Sequence, residues 1–489
     1  MFIVHIASEF AGVAKVGGLA DVVQGLTREL SIRGNHVEVI LPRYEQMRMD
    51  RVWGYTKSYA DLWVPFHNFW VHCDVYFGFV DGVKTYFIES HFFKNFFNRS
   101  VIYGDRDDPE RFAFFSKAAM EFLLKSGKHP DVIHVHDWQT AMVPLLLAET
   151  YKHFGMTHPR VCFTIHNVHH QGITGDHVLR QNHLNPSWYL GDDRLGDDQY
   201  PGAVNLMKGG VVYSNFVTTV SPTYMHEIRH STLGHGLQNT LNRHWAKLGG
   251  VLNGVDYGVW NPEVDALIPH HFSPENLDAK YGNKKALRDR FWLADTYKPI
   301  IAVISRLDHQ KGVGLMRHAL FHALANNCQF VLLGTSPDPK VTEDFWNLKR
   351  HLNDNPDCHL ELAFDEGVSH LIYAGADMIL IPSAFEPCGL TQLIAMKYGT
   401  VPVARATGGL ADTVFDANYA HVPYHDRNGY TFNDFDQAAV DSALQRAIGM
   451  WYHYPQYWRE LMLNGMRKDY SWNHSAQHYL NIYEYIREK

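Results

Sequence analysis

Short apolar runs rich in β-branched residues alternate with amphipathic helical patterns along the whole chain, and this alternation restricts the fold more than any other feature. A strand, a crossover helix and a second strand form the unit from which parallel sheets are built. The strand pattern occurs at residues 2–8, 36–42, 132–137, 161–167 and 216–222, and again at 299–306, 328–334, 358–364, 378–383 and 401–405. The sequence therefore predicts an α/β protein in which each half forms a Rossmann-like, doubly wound parallel sheet.

A stretch rich in glycine, asparagine and proline, residues 247–265, separates the two sets of strands. These residue types favour turns. The sequence predicts an N-terminal domain over 1–258, a C-terminal domain over 259–471, and a helical segment over 472–489 that packs back on the N-terminal domain. Ligands of open α/β sheets bind at the carboxyl ends of the strands, so two such domains predict a ligand cleft between them.

The composition argues against several classes of partner. The net charge is 44 − 52 = −8 without a basic stretch, which disfavours nucleic acid. No apolar run approaches the ~18 residues of a membrane-spanning helix, and the first strand does not have the pattern of a secretion signal. The five cysteines are isolated, which favours a reduced compartment. We expect a soluble cytoplasmic protein that binds neither nucleic acid nor membranes.

The pentapeptide GGLAD occurs twice, each time between a strand and a helical pattern. In the first copy, the backbone N–H groups of Gly17 and Gly18 at a helix N-terminus favour an anion, and Lys15 adds a full positive charge. The alternative is a strand-to-helix turn with a solvated lysine. In the second copy Ala406 stands where the first has lysine, so we interpret the copies as two walls of one cleft and not as two equal phosphate sites.

Two cations follow the first strand of the second half, in the segment SRLDHQKG. Arg306 presents a fork of donors and Lys311 a point charge, and the pair suits a diphosphate whose negative charge grows as a bond breaks. The alternative pairs one cation with Asp308 and leaves the other in solvent. We expect both cations to face the ligand cleft.

Glu386 follows another strand of the second half and precedes a helix predicted to begin near Leu390. A phosphate would repel this carboxylate, so it suits sugar hydroxyls or a developing positive centre, while the N–H groups from Gly389 to Thr391 suit the anion. The alternative is a carboxylate that only stabilises the helix N-terminus. Cys388 has no histidine near it in sequence, and the residues alone indicate packing or susceptibility to oxidation.

Polar residues also end two strands of the first half, namely Asp137 after one and His166 with Asn167 after the next. A single histidine in such a place is more often structural, but two polar strand ends at one sheet edge favour a ligand site. His134 and His136 lie nearby without an H-E-x-x-H pattern, so no metal site is predicted. The chain also lacks the motifs of serine hydrolases, P-loop kinases and G-x-G-x-x-G dehydrogenases.

Taken together, these motifs resemble those of the glycogen and starch synthases, retaining glucosyltransferases of GT-B architecture, across nearly the whole chain. In chain order the motifs are KVGGLADVV, HDWQ, TIHNVHHQG, VTTVSPTY, VLNGVDYGVWNP, SRLDHQKG, IPSAFEPCGLTQ and ATGGLADTV. The resemblance implies transfer of glucose from ADP-glucose to the 4-hydroxyl at the non-reducing end of an α-1,4-glucan, with retention of configuration. It implies no cofactor and no metal.

The resemblance also implies roles for individual residues. Arg306 and Lys311 would neutralise the departing ADP, Glu386 would bond the transferred glucose, His166 would hold its 6-hydroxyl, and Asp137 would line the sugar side. The implied donor-binding residues are Lys15, Gly17, Gly18, Asp21, Asn167, Phe364, Cys388, Gly389, Leu390 and Thr391. No pair of carboxylates has glycosidase-like spacing, and the resemblance implies front-face attack in which the leaving phosphate takes the acceptor proton.

Some alternatives stay open at this point. The acceptor is a polymer, a small molecule or a short maltosyl primer. A glucan phosphorylase shares the architecture but needs a pyridoxal-phosphate lysine, for which no motif is present. A non-catalytic glucan-binding protein would be expected to lack Lys15, Arg306, Lys311 or Glu386, and all four are present.

Two departures from related families bear on these readings. Ile394 stands where related retaining transferases carry a second glutamate, as is usual in glycogen synthases. The absence of a long N-terminal extension favours a bacterial cytoplasm, with cyanobacteria as a candidate source.

Overall fold

The computed structural model describes residues 1–489, which form two compact units. Unit 1 comprises Met1–Gly254 and Trp472–Lys489, and unit 2 comprises Val255–Ser471. The sequence predicts the boundary after Gly258, whereas the division falls at Gly254, within the same turn-rich stretch. The reason is that the Val255 N–H donates to the carbonyl of Tyr470 (2.8 Å), which ties the start of unit 2 to its end.

The strands of unit 1 are β1 (Phe2–Ile6), β2 (His36–Pro42), β3 (Trp53–Phe66), β4 (Phe69–Val80), β5 (Val83–Ser90), β6 (Val132–His136), β7 (Arg160–Ile165), β8 (Ile173–Thr174), β9 (Val204–Asn205), β10 (Phe216–Thr219) and β11 (Leu248–Gly250). Nine of them form one sheet in the order β11-β10-β7-β6-β1-β2-β5-β4-β3, and β8 pairs with β9 separately. All five predicted strands of this half are present.

The helices that cover this sheet are α1 (Gly18–Ile32), α2 (Asp108–Lys125), α3 (Asp137–Thr140), α4 (Met142–Glu149), α5 (His177–Gln181), α6 (Pro186–Tyr189), α7 (Leu206–Tyr213), α8 (Pro222–His230) and α9 (Gln238–Arg243). Two of the amphipathic helical patterns in the sequence, residues 21–34 and 111–127, each ending in a glycine, correspond to α1 and α2. Gly34 (φ 82°) and Gly127 (φ 66°) adopt left-handed conformations just after them, and thereby end both helices.

The unit 1 sheet is parallel except at one edge, where β4 runs antiparallel to both β3 and β5. Strands β3, β4 and β5 were not predicted from the sequence. Antiparallel neighbours are joined by tight turns and need no crossover helix, so they do not produce the strand–helix alternation from which the sheet was inferred. His67 (φ 55°) makes the turn between β3 and β4.

Unit 2 has a six-stranded, fully parallel sheet. Its strands are β12 (Ile300–Ile304), β13 (Gln329–Leu333), β14 (Cys358–Glu361), β15 (Met378–Ile381), β16 (Val401–Arg405) and β17 (Tyr430–Phe432), in the order β14-β13-β12-β15-β16-β17. Only β17, with three residues, was not predicted. The helices are α10 (Lys280–Phe291), α11 (Val313–Ala325), α12 (Pro339–Leu352), α13 (Glu366–Gly375), α14 (Thr391–Lys397), α15 (Gly408–Thr413), α16 (Gln437–His453) and α17 (Pro455–Arg467).

The C-terminal helix α18 (Trp472–Arg487) is part of unit 1. Trp472 packs over Gly25 of α1 so closely that a Cβ on Gly25 would lie 1.8 Å from the indole nitrogen. On the same helix, the Tyr483 hydroxyl lies 2.7 Å from Nδ1 of His134 in β6. None of the helices combines the length and the apolar character that crossing a bilayer requires.

Both sheets reverse their strand order beside their first strand. In unit 1, β1 lies between β2 and β6, and in unit 2, β12 lies between β13 and β15. Loops at the carboxyl ends of such strand pairs diverge and leave a crevice for ligands. The predicted site residues follow these strands or their immediate neighbours in each unit, which places them where each fold offers a site.

Candidate active site

The glycine loop after β1 is organised by Glu9. Its buried carboxylate accepts hydrogen bonds from the backbone N–H groups of Val16 (2.6 Å) and Gly17 (2.8 Å) and from the Tyr103 hydroxyl (2.9 Å). Burial raises the pKa of Glu9, and these hydrogen bonds oppose that shift. The Gly17 N–H, predicted to face an anion, therefore donates to a carboxylate of the protein itself.

Lys15 and the two glycines of the first GGLAD copy border open space. The Lys15 ammonium lies 2.6 Å from the Asp21 carboxylate, and both side chains are partly exposed. A Cβ added at Gly17 or Gly18 would meet no atom within 4 Å. Packing inside unit 1 therefore does not require either glycine, which leaves room for a ligand to approach the backbone of this loop.

Asp137, directly after β6, has a left-handed backbone (φ 54°) that turns its carboxylate toward β7. One carboxylate oxygen accepts the N–H groups of His166 (2.7 Å) and Asn167 (3.4 Å). The structure thus brings together these three predicted residues at the ends of two neighbouring strands. Burial raises the pKa of Asp137 to about 7, against the opposing effect of the two N–H groups.

We expect Asp137→Asn to raise the melting temperature of the protein by about 2 to 4 °C at pH 8, and by less at pH 5. Because the folded-state pKa is raised from 3.8 to about 7, the native protein keeps a proton that the unfolded chain releases, and stability falls as pH rises across that interval. Asparagine keeps the N–H acceptor and stays neutral. Thermal unfolding at the two pH values measures the difference.

Asp81→Asn is the matched control, since Asp81 is also left-handed (φ 48°) but exposed, and its side chain accepts a hydrogen bond from the uncharged Gln24 amide. Its melting temperature should differ from that of the wild type by the same small amount at both pH values. An Asp137→Asn gain that does not change with pH would contradict the raised pKa.

In unit 2, Lys311 and Glu386 form the centre of the site. The Lys311 ammonium lies 2.6 Å from a carboxylate oxygen of Glu386, which also accepts the Ser383 hydroxyl at 3.0 Å. Glu386 is buried. The Lys311 side chain is partly exposed, and without it the buried carboxylate would lack its charged partner. Both residues were predicted site residues, but their contact was not predicted from the sequence.

Backbone contacts hold the two loops that carry this pair. The Ala384 N–H donates to the carbonyl of Gln310 at 2.8 Å. Gly312 adopts φ 80°, and a Cβ there would lie 2.1 Å from the carbonyl oxygen of Pro382. The close crossing of the loops after β12 and β15 sets the position of Lys311 relative to Glu386.

Arg306 differs from Lys311 in its surroundings. Its side chain is 62% exposed and lies 3.5 Å from the Asp308 carboxylate, whose other oxygen accepts the Lys311 N–H at 2.9 Å. The sequence left open an alternative in which one cation pairs with Asp308 and the other is solvated. Arg306 does lie near Asp308, but Lys311 is bonded to Glu386 and is not solvated. The Arg306 guanidinium is therefore exposed to an incoming anion, whereas Lys311 is held by Glu386.

The second GGLAD copy packs against the backbone of the Glu386 loop. A Cβ on Gly408 (φ 46°) would lie 1.9 Å from the carbonyl oxygen of Glu386, and one on Gly409 would lie 2.0 Å from that of Cys388. The Gly409 N–H also donates to the Glu386 carbonyl at 3.1 Å. These glycines therefore allow the backbone of the second copy to pack directly against the backbone of the Glu386 loop, unlike those of the first copy.

The segment after Glu386 leads into α14, which begins at Thr391 with Leu390 as its N-cap. Gly389 is left-handed (φ 75°), and the fully buried Gln392 amide donates to the carbonyls of Cys388 (3.0 Å) and Gly389 (2.9 Å). Cys388 is buried. The predicted helix start is confirmed, and its first N–H groups follow directly on the Glu386 loop.

Phe364 lies in the loop after β14 with 88% of its surface exposed. Contact between an exposed aromatic ring and water is unfavourable, so covering the ring with a planar base lowers the free energy. The structure places it beyond the carboxyl end of a strand, as the sequence predicts. Its predicted role against a nucleobase stays a prediction.

We expect Phe364→Ala to raise the KM for the nucleotide-sugar donor about tenfold without changing stability, since stacking a base on an aromatic ring contributes ~1–3 kcal/mol. Steady-state kinetics with varied donor and thermal unfolding provide the two measurements. Trp292→Ala is the control, because Trp292 in unit 2 is similarly exposed (81%) and has no predicted role. An unchanged KM in Phe364→Ala would remove this residue from the site.

Comparisons with known proteins agree with these features. Residues 2–243 match the model described as starch synthase catalytic domain, and residues 285–459 match glycosyl transferases group 1. Glycogen synthase 1 of Nitrosococcus oceani is 63% identical over 488 residues, covering 100% of both chains. The chain belongs to the glycogen and starch synthase family. It is a GT-B glucosyltransferase of glycogen or starch synthesis, which confirms the predicted fold class and enzyme class.

Further relatives cover the whole chain. Glycogen synthase 2 of Methylococcus capsulatus is 60% identical over 99% of this chain and 100% of its own. The catalytic domain of starch synthase IV from Arabidopsis thaliana, solved bound to ADP and acarbose, superimposes with a TM-score of 0.97 at 42% identity, covering 100% of this chain and 99% of that one. The synthase family resemblance seen in the motifs is thus confirmed over both units.

Three residues of the site were not found from the sequence. Glu9 holds the glycine loop, Ser383 bonds Glu386, and Gln392 holds the two carbonyls that follow it. Glu9 could have been found from the sequence, because it is a carboxylate between a strand and a glycine-rich helix start, where backbone N–H groups need acceptors. No sequence signal distinguishes Ser383 or Gln392, because their roles depend on which loops meet.

Proposed function

We propose that this enzyme transfers glucose from ADP-glucose to the 4-hydroxyl at the non-reducing end of an α-1,4-glucan, with retention of the α configuration, in a bacterial cytoplasm. No metal or cofactor is required in this proposal. The observation that carries it is the ion pair between Lys311 and the buried Glu386, which follow strands β12 and β15 where the strand order of unit 2 reverses. The ADP and acarbose bound by the starch synthase IV catalytic domain support the choice of donor and of a glucan acceptor.

The chemistry follows from the charges. The bond between C1 of glucose and the β-phosphate oxygen breaks, the acceptor 4-oxygen forms a bond to C1 on the same face, and its proton passes to the departing phosphate. Lys311 and Arg306 stabilise the charge that grows on ADP, and in this proposal the two cations suffice for this without a metal. Glu386 then exchanges part of its contact with Lys311 for the hydroxyls of the transferred glucose.

In unit 1, we assign the sugar to His166, Asp137 and Asn167. We assign the phosphates to Lys15 with the Gly18 backbone N–H, since the Gly17 N–H already donates to Glu9. Burial lowers the pKa of His166 to about 3, so the imidazole is neutral and bonds a hydroxyl without adding charge. Lys15 is held by Asp21 in the ligand-free protein. A donor phosphate would compete with that carboxylate for the lysine.

The test is the release of ADP or UDP from the two nucleotide sugars, with and without glycogen. We expect glycogen-dependent release of ADP, slower release of UDP, and loss of both in Glu386→Ala. Asp289→Ala, which removes the carboxylate of an exposed Lys285–Asp289 pair, is the matched control and should stay active. Release that ignores glycogen would indicate a small or maltosyl acceptor, and no release from either donor would overturn the proposal.

A further inference from the structure

Three histidines form a hydrogen-bonded chain from the interior of unit 1 to the predicted sugar site. Nδ1 of His5, in β1, lies 3.1 Å from Nε2 of His136 at the end of β6, and Nδ1 of His136 lies 3.1 Å from Nε2 of His166. His5 and His136 have no exposed surface. Each contact joins the Nδ1 of one ring to the Nε2 of the next, so the chain has a direction.

The two ends of this chain differ. Nε2 of His5 is buried and has no hydrogen-bond partner, whereas Nδ1 of His166 makes no bond within the unit and lies at the partly exposed end. Burial lowers the pKa of His5 and of His166 to about 3 and that of His136 well below its usual value, so all three rings are neutral. Each neutral ring carries one N–H donor and one acceptor nitrogen.

Only two arrangements of the protons satisfy both contacts. If His166 donated through Nε2, each ring would carry its proton on Nε2, and His5 would be left with a buried N–H that has no acceptor. If each ring carries its proton on Nδ1, His5 is left only with a buried lone pair. Orphaned buried N–H groups are rarer in proteins than orphaned acceptors, so the second arrangement is favoured.

We propose that His5 and His136 are positioning residues that hold His166 in its Nδ1–H tautomer, which makes His166 a hydrogen-bond donor to a substrate oxygen. The protonated nitrogen of a histidine is set by the bond that its other nitrogen makes. This inference rests on the proposed function only for the identity of that oxygen, a hydroxyl of the transferred glucose. The tautomer itself follows from unit 1 alone.

A metal centre explains the same residues less well, although ligand atoms of His5, His134 and His136 lie within 4.8 Å of one another. The rings of His134 and His136 stack at 4.3 Å with an interplanar angle of 29°, so their lone pairs do not converge on one point. Both nitrogens of His134 are also occupied, by the Tyr483 hydroxyl and the Thr164 hydroxyl, each at 2.7 Å.

The primary test is the nuclear magnetic resonance spectrum of the full chain labelled with 15N-histidine, without ligand at neutral pH. Protonated and unprotonated ring nitrogens resonate far apart, and His166→Asn identifies the signals of His166. We expect a protonated Nδ1 and an unprotonated Nε2. A protonated Nε2, or a doubly protonated ring, would overturn the proposal.

Variants of His136 test the positioning role. His136→Phe keeps a stacked ring but removes the donor to His166, and we expect a mixture of His166 tautomers and a kcat/KM about tenfold lower, equivalent to about 1.4 kcal/mol. His136→Asn places an amide N–H near the position of Nδ1 and should keep both the tautomer and most of the activity. If His136→Phe does not fold, the wild-type and His136→Asn spectra still decide the question.

Tyr483→Phe is the matched control, because it removes one buried hydrogen bond from the neighbouring His134 and leaves the hydrogen bonds between His5, His136 and His166 intact. It should change stability without changing the His166 spectrum or kcat/KM. Equal losses of kcat/KM in Tyr483→Phe and His136→Phe would mean a merely structural role. The wild-type protein could show a protonated Nδ1 on His166 and yet release no nucleotide from either donor. That result would contradict the proposed function but would agree with this inference.

Discussion

Lys311→Ala is expected to lower kcat/KM for the nucleotide-sugar donor about 10²- to 10³-fold, the loss that follows removal of one group that stabilises transition-state charge. Two effects act in the same direction. The departing diphosphate loses a fixed cation, and Glu386 is left buried and negative beside it without its partner at 2.6 Å. Removing one partner of a buried pair also destabilises a protein by about 3–5 kcal/mol.

A second substitution separates the two effects. In Lys311→Ala/Glu386→Gln the buried charge is gone, so most of the lost stability should return, whereas the activity should stay low. Chemical denaturation and initial rates of nucleotide release measure the two quantities. Lys285→Ala is the control, since it removes the lysine of an exposed pair whose nitrogen–oxygen distance is a similar 2.7 Å. A loss below tenfold in Lys311→Ala would show that this cation does not act on the leaving group.

Gly409→Ala is expected to lower kcat/KM about 100-fold, because a displacement of about 1 Å at a catalytic group has that effect. The added Cβ would lie 2.0 Å from the carbonyl oxygen and 2.5 Å from the Cα of Cys388. These are backbone atoms, so the Glu386 loop must move as a whole. We expect a lower free energy of unfolding as well, since overpacking costs about 1–3 kcal/mol.

The first GGLAD copy provides an internal comparison. Gly17→Ala and Gly18→Ala add a methyl group where no atom lies within 4 Å, so stability should be unchanged, and any loss of activity reports contact with a ligand. Gly449→Ala in α16, also unobstructed, controls for the helix propensity of alanine and should stabilise by about 0.5–1 kcal/mol. Unaltered stability and activity in Gly409→Ala would contradict the close packing of the second copy.

Much of the fold was predictable because parallel strands are buried on both faces and appear in a sequence as short apolar runs. All ten predicted strands are present, and α1 and α2 are confirmed. The antiparallel edge β3–β4 was not predicted, since its strands are long, partly exposed and joined by a tight turn. The pattern of strand and helix therefore reports the centre of a sheet better than its edge.

The site was predictable in its residue types and not in its contacts. Strand ends identify Asp137, His166 and Glu386 because ligands bind at the carboxyl edge of such sheets. The partners that set their chemistry come from distant parts of the chain, as Lys311 does for Glu386. His5 and His136 were not recognised as partners of His166. The sequence does not show whether a histidine in an apolar strand only packs or also hydrogen-bonds to another histidine.

The sequence by itself determined the parallel strands of both sheets, their strand ends and the family to which the chain belongs, because burial periodicity and motif order are properties of local sequence. Tertiary structure alone decided what the repeated GGLAD does. Its two glycines border open space after β1, whereas after β16 they pack against the Glu386 and Cys388 carbonyls. In a sequence, a glycine shows only that a side chain is absent. The surrounding packing decides whether a ligand or a neighbouring loop can approach the backbone there.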